Sequence, residues 1–179
     1  MFKKLFLALI LAAVGFVFYM YSYLGFSRPV EIKIEKREAL HLLFKNHLGA
    51  YHQIGPVISE VEQWAGAQNV HCPQTFGEYV DDPAALDQDR LRSRGGCLLI
   101  SPLNEKLELP KDFSQEDRPA RQYVMARFQG SPSIGPMKVY PLAQKFIEDQ
   151  RLKPSGAVIE IYTINGQEVT TEFLFPIEK

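Results

Sequence analysis

Glu160 lies in the run Val158-Ile159-Glu160-Ile161-Tyr162, and it is the side chain here whose surroundings most suggest chemistry. In an extended strand it shares a face with Val158 and Tyr162, while Ile159 and Ile161 take the other. A carboxylate between apolar and aromatic neighbours beside a groove is partly desolvated, and its charge seeks a cation. The plainer reading is a strand glutamate facing water. Tyr51, Trp64, Tyr79 and Tyr162 are the aromatics that could line such a groove and hold a cation by their ring faces. Core packing is the competing role, and for Trp64 the two weigh evenly. His41, His47, His52 and His71, with Cys72, match no zinc spacing, so neither a metal nor a cofactor is expected. Asp81-Asp82 before Pro83 reads as turn chemistry. There is no Ser-His-Asp order, phosphate loop or dinucleotide fingerprint. Arg90, Arg92 and Arg94 share a face if extended; a phosphate site is conceivable there, but a solvated strand edge is the preferred reading.

The elements that must position Glu160 come in duplicate. One stretch, from His47 to Ala65, passes from an apolar run through Gly49 and Ile54-Gly55-Pro56 into an amphipathic segment. A second, from Arg127 to Asp149, does the same through Gly130 and Ile134-Gly135-Pro136. Pro56 suits the first turn of a helix, where its missing N–H costs nothing. In the second copy Pro141 places the start of the regular helix near Tyr140, because proline inside a helix costs about 3 kcal/mol. Strands are expected at Val30–Lys36, Ala39–Leu48, Thr75–Val80, Gly96–Ile100 and Tyr123–Phe128. A hairpin over Ala157–Thr163 and Glu168–Phe175 turns at Asn165-Gly166. Ser101–Ala120, with three prolines among charged residues, reads as a connector. Each half thus reads strand, helix, strand, strand. The fold class is α+β, with about six strands and two helices in two pseudo-symmetric modules, behind an N-terminal transmembrane helix. Aligning Tyr79 with Tyr162 sets Gly77 opposite Glu160, so the groove would hold one acid and not a carboxylate pair.

The totals bound the partners. The chain has 179 residues and a net charge of −1, which argues against a nucleic-acid footprint. Residues 1–28 form an anchor: Lys3 and Lys4 precede an uncharged run from Leu5 to Phe26, long enough for a hydrocarbon core of about 30 Å. Bulky residues at its end, with Tyr19, Tyr21 and Tyr23 as an aromatic belt, favour an uncleaved signal anchor over a cleaved leader. The domain, residues 30–179 with halves near 30–101 and 120–179, would then stand outside the cytoplasm, as in a periplasm. The cytoplasmic side is the alternative. Cys72 and Cys97 read as two separate thiols, with one disulfide as the alternative in an oxidising compartment.

The segments HLGAYHQIGP and GEYVDDP, then IGP…LAQKFIED, GAVIEIYTING and FPIE, resemble in order and spacing the GyrI-like domain family. That family is also called the SOUL/GyrI or effector-binding domain of multidrug regulators. The resemblance runs from roughly Ile32 to Glu178 and implies two strand-helix-strand-strand modules around a groove for bulky cationic or aromatic molecules. The family's pocket glutamate matches Glu160, and some members are similar to hydrolases that open electrophilic toxins. An apolar N-terminus before such a domain also resembles an ER-phagy receptor of the testis-expressed type. The chain departs from it in lacking the long disordered tail, and lacks a helix-turn-helix, so neither a receptor nor a regulator role is carried over. Three functions follow, in order. The first is a membrane-anchored module binding an amphipathic or cationic small molecule. The second is a hydrolase using Glu160 as acid or base. The third is a scaffold for a protein partner at the membrane.

Overall fold

Helix α1 (Phe2–Tyr23) is apolar all round beyond Lys3 and Lys4, so no face of that run selects water. Its 22 residues rise about 33 Å, and it is long and apolar enough to cross a membrane. The structure, a computed structural model, describes residues 2–104 and 106–178. Met1 and Lys179, at the outer ends of the expected anchor and domain, lie outside the described residues. α1 stops in a Schellman motif: the Phe26 N–H donates to the Tyr21 carbonyl, the Gly25 N–H to that of Ser22, and Gly25 takes φ +87°.

Next come β1 (Val30–Arg37), β2 (Leu40–Leu48), α2 (Gly55–Ala67), β3 (Gln74–Tyr79), β4 (Arg92–Leu99) and β5 (Phe113–Arg118). They are followed by β6 (Arg121–Gln129), α3 (Gly135–Asp149), β7 (Val158–Asn165) and β8 (Glu168–Pro176). One antiparallel sheet of eight strands runs β1-β6-β8-β7-β3-β4-β2-β5. Read outward from the β7–β3 seam, the order is the same in both directions once β7 is exchanged for β3, β8 for β4, β6 for β2 and β1 for β5. Each half therefore holds a strand-helix-strand-strand unit, β2-α2-β3-β4 and β6-α3-β7-β8, with one added outer strand. The pseudo-symmetry expected from the duplicated segments is present, and the seam is its axis.

Cross-strand register puts Leu43, Cys97, Thr75, Tyr162, Thr171 and Phe128 level with one another, hence on one face. On that face Val61 and Ala65 of α2 bury against Leu43, Cys97 and Phe113, and Val139, Ala143 and Ile147 of α3 against Phe128 and Phe173. The other face takes no helix residue into its core: Leu42, Phe44 and Phe76 of the first half meet Met125, Ile159 and Leu174 of the second. Each large side chain so buried contributes about 1.5–3 kcal/mol. The helices thus stand side by side over one face, with the seam running between them.

Four expectations change. The sheet has eight strands, not about six, because each three-strand module gains an outer strand: β1 beside β6, and β5, from the connector, beside β2, with Phe113 as its one deeply buried residue. An edge strand of mostly polar residues carries little hydropathic signal. Arg92 and Arg94 lie in β4, an interior strand rather than an edge; Arg92 pairs with Asp81, and Arg94 with Glu116 and Glu78. α3 begins at Gly135, six residues before Pro141. Pro141 frees the carbonyl of Met137, and both residues are exposed, so water can take its place. Finally, Cys72 and Cys97 are joined in a disulfide, not held as separate thiols. Cys97 is buried as expected, and Cys72 packs beside it as the chain returns beneath α2.

α1 is bolted to the domain through Lys138, on the first turn of α3. Its ammonium donates to the carbonyls of Gly25 (3.4 Å), Phe26 (2.8 Å) and Arg28, and lies 5.2 Å from the Phe128 ring centre. The Ser131 N–H adds a bond to the Leu24 carbonyl (3.1 Å), and an added Cβ on Gly25 would stand 3.0 Å from Gly130 Cα. Lys138→Ala leaves this turn without its cation. We expect it to cost about 2 kcal/mol and to speed amide exchange at residues 25–28, read by mass spectrometry on the full chain in detergent; unchanged protection there refutes the bolt.

Candidate functional site

Glu160 occupies the seam. It is the register partner of Gly77, on the face shared by the helices, and is 3% exposed. The apolar alternation of β7 brings it there beside β3, and four tyrosines close over it. The Tyr140 hydroxyl, from α3, donates to Oε1 at 3.0 Å, and the Tyr162 hydroxyl to Oε2 at 3.0 Å. Tyr79 Oη lies 2.9 Å from Tyr162 Oη. Tyr162 has one proton and spends it on the carboxylate, so Tyr79 is the donor between them. The Tyr51 ring meets the Tyr79 ring edge to face at 4.8 Å between centres. Its hydroxyl donates to the Asp81 carbonyl (2.7 Å) and accepts the Asp81 N–H (2.8 Å). An added Cβ on Gly77 would stand 2.9 Å from Tyr79 Oη. The space of the missing second side chain is where the Tyr79 phenol lies.

Glu78, Glu160 and Glu172 are the buried glutamates among the described residues. Glu78 receives Arg118 through two bonds, 2.8 and 3.0 Å, and Glu172 receives Arg37 and Arg127. Glu160 receives hydroxyls alone; among the described residues no cation pairs with it. Burial accordingly pushes its carboxyl up to about 7, against a smaller opposing pull from the Tyr162 and Tyr140 hydrogen bonds. Burial first, and then the Glu160 charge, holds the Tyr79, Tyr140 and Tyr162 phenols above their ordinary range. They remain neutral donors at any working pH. The arrangement offers a near-neutral acid with a donor on each oxygen, in a buried seam where no counter-charge stands among the described residues. It can receive a cation in place of the hydroxyls, or hold a proton for transfer.

Of the aromatics named from sequence, Tyr51, Tyr79 and Tyr162 converge on Glu160, whereas Trp64 does not. Trp64 packs edge to face on Phe113 at 5.4 Å, within the core beneath α2. Tyr140 was the residue missed. Once α3 is allowed to run through Pro141, Tyr140 falls beside Val139, Ala143 and Ile147 on the buried side. Two clefts of about 290 and 640 Å³ open elsewhere, one lined by Glu78, Arg118 and Tyr123 and one beside residues 99–104; Glu160 lines neither.

Two mirrored modules with one acid at their seam define an antiparallel α+β binding fold. The chain belongs to the family of the GyrI-like small molecule binding domain, whose model matches residues 30–178. The crystal structure of the EcmrR C-terminal domain superposes with a TM-score of 0.65 at 16% identity, over 84% of this chain and 98% of that one. SAV2435 bound to tetraphenylphosphonium does so with a TM-score of 0.57 at 10% identity, over 83% and 94%. A hydrolase from Listeria innocua encoded by lin2189 reaches 0.52 at 11% identity, over 83% and 92%. At these identities the likeness is one of fold. No curated protein sequence matches the chain. The family match begins after α1 and says nothing of that helix.

Proposed function

We propose that this chain is a membrane-anchored binding module for a bulky lipophilic cation, received in the seam between its halves. The observation that carries the reading is Glu160: a buried carboxyl whose partners are two hydroxyls, where the two other buried glutamates each hold arginine. A cation replaces those hydroxyls, and Tyr51, Tyr79, Tyr140 and Tyr162 offer ring faces to its apolar groups. Tetraphenylphosphonium, the ligand of SAV2435, has this chemistry. Trp64, packed on Phe113, takes no part. α1 supplies the anchor, with Lys3 and Lys4 on the cytoplasmic side and the domain outside. The Cys72–Cys97 disulfide supports that orientation, since such bonds persist in oxidising compartments. The likeness to an ER-phagy receptor contributes no role here.

Binding of a cation requires the ionised carboxylate, so it is linked to release of a proton from a group that titrates at about 7. Calorimetry with tetraphenylphosphonium on the full chain in detergent is expected to show affinity falling about tenfold per pH unit well below 7. The heat should vary with the buffer's ionisation enthalpy, and Glu160→Gln should weaken binding at least about tenfold and abolish the pH dependence. Equal affinity in native and variant chains ends the proposal. The same pKa favours a second reading, hydrolysis of a reactive electrophile with Glu160 as the acid or base. Turnover of a strained electrophile that disappears in Glu160→Gln distinguishes it.

A further inference from the structure

The sheet has two ends, and α1 leaves from one of them. Val30 opens β1 opposite Phe128, Gln129 closes β6 opposite Thr170, and Glu168 opens β8 opposite Asn165. The β7–β8 hairpin tip therefore lies at the end where α1 departs. Arg28, just past α1, pairs with Glu168 at 3.3 Å, and Gln129 also bonds Glu168, at 2.7 Å. At this end of the second half two large apolar side chains stand in the open: Ile164 on the hairpin, 68% exposed, and Met137 on the first turn of α3, 70% exposed. Both are aligned with the seam. Ile164 shares the β7 face of Glu160 and Tyr162, about 13 Å along from Glu160. Met137 precedes Tyr140 by about one helical turn. The opposite end of the seam is covered by Tyr51, tied to Asp81. Isolated apolar residues on a surface need no explanation, but these two come from different elements and flank a helix that is itself apolar on every side. The Lys138 bolt, next to Met137, removes the slack that would let the domain turn away from that helix.

We propose that this end of the domain is seated on the bilayer, with Met137 and Ile164 entering the interfacial layer beside α1. The Tyr162 end of the seam then faces lipid, and an amphiphile dissolved in the membrane reaches Glu160 from there without crossing bulk water. Arg28 and Glu168 neutralise one another at this seat, so it takes a zwitterionic bilayer and does not depend on anionic headgroups. The inference rests on the reading of α1 as a membrane anchor.

The test is depth-dependent quenching by brominated phosphatidylcholine of the full chain in proteoliposomes. In a Trp64→Phe background, Ile164→Trp, Met137→Trp, Leu48→Trp and Val14→Trp each carry one reporter, and thermal melts confirm that each folds. Leu48 is 68% exposed at the far end of β2, level with Arg92 and away from the α1 exit. Bromines near the glycerol backbone are expected to quench the reporters at 164 and 137 and spare the one at 48, while deep bromines quench the one at 14. Quenching at 14 with none at 164 and 137 overturns the seat and leaves the anchor standing. No quenching at 14 overturns both. Quenching at 48 equal to that at 164 overturns the seat, because the domain then has no preferred end.

Discussion

Glu160→Gln is expected to gain about 3 kcal/mol of stability relative to the native chain as the pH rises from 4.5 to above 7. The unfolded carboxyl gives up its proton near its ordinary 4.5, whereas the folded one keeps it to about 7. Across that window the folded state binds more protons, so raising the pH favours unfolding. The contribution is fully present below 4.5 and is lost as the pH passes the folded value. An amide at this position keeps an acceptor for one tyrosine and never ionises, so the variant lacks that slope. Every other titrating group is common to both chains and cancels in the difference. Urea unfolding of both proteins in detergent, at pH 4.5 and pH 8, measures it directly. Parallel pH profiles would mean that Glu160 is solvated or already paired, and the proposed cation site would lose its basis. A saturating lipophilic cation should restore the native chain's stability at pH 8, because it binds the folded, ionised form alone.

The disulfide should carry an effect of similar size. Cys72 and Cys97 are 25 residues apart, and closing a loop of that length stabilises a fold by about 3.5 kcal/mol in the chain-entropy account. The closed segment contains all of β3 and the turn at Asp81, and so half of the seam that holds Glu160. The double variant Cys72→Ser/Cys97→Ser is expected to unfold at lower urea by that amount and to be insensitive to reductant. The native chain should fall to the same midpoint when reduced. A native midpoint that stays put while two thiols become titratable would show that the bond adds nothing. The two predictions concern separate groups, and a chain that fails one can still meet the other.

Much of the fold was legible because it was written twice. The Gly–Ile-Gly-Pro progression marked both helices, and Asn165-Gly166 marked the last hairpin because Gly166 adopts the positive φ, +64°, that the turn demands. Glu160 was legible as a charge set among apolar residues in a strand. What could not be read has physical causes. The β5 strand is polar and stands at the sheet edge beside β2, so no alternation betrayed it. Pro141 argues for a helix start on local propensity, but an exposed carbonyl one turn back tolerates it, and Tyr140 vanished from view with the misplaced boundary. Trp64 is an aromatic on an amphipathic helix, and only the third dimension says whether such a ring meets the core or a ligand. The bond between Cys72 and Cys97 depends on the chain doubling back beneath α2, which spacing alone does not encode.

The mirrored strand order has a consequence for molecular recognition. A guest received as proposed across the β3–β7 seam would meet two walls of one architecture and unlike polarity, the Tyr79 phenol over Gly77 on one and an acid on the other. Shape alone would admit it in either of two orientations related by half a turn. Under the proposed function, the single carboxyl would make one of them favourable, so an elongated guest with its charge at one tip would enter head-first and in one sense only. In a duplicated scaffold, one substitution on one copy is enough to turn a reversible slot into a directional one.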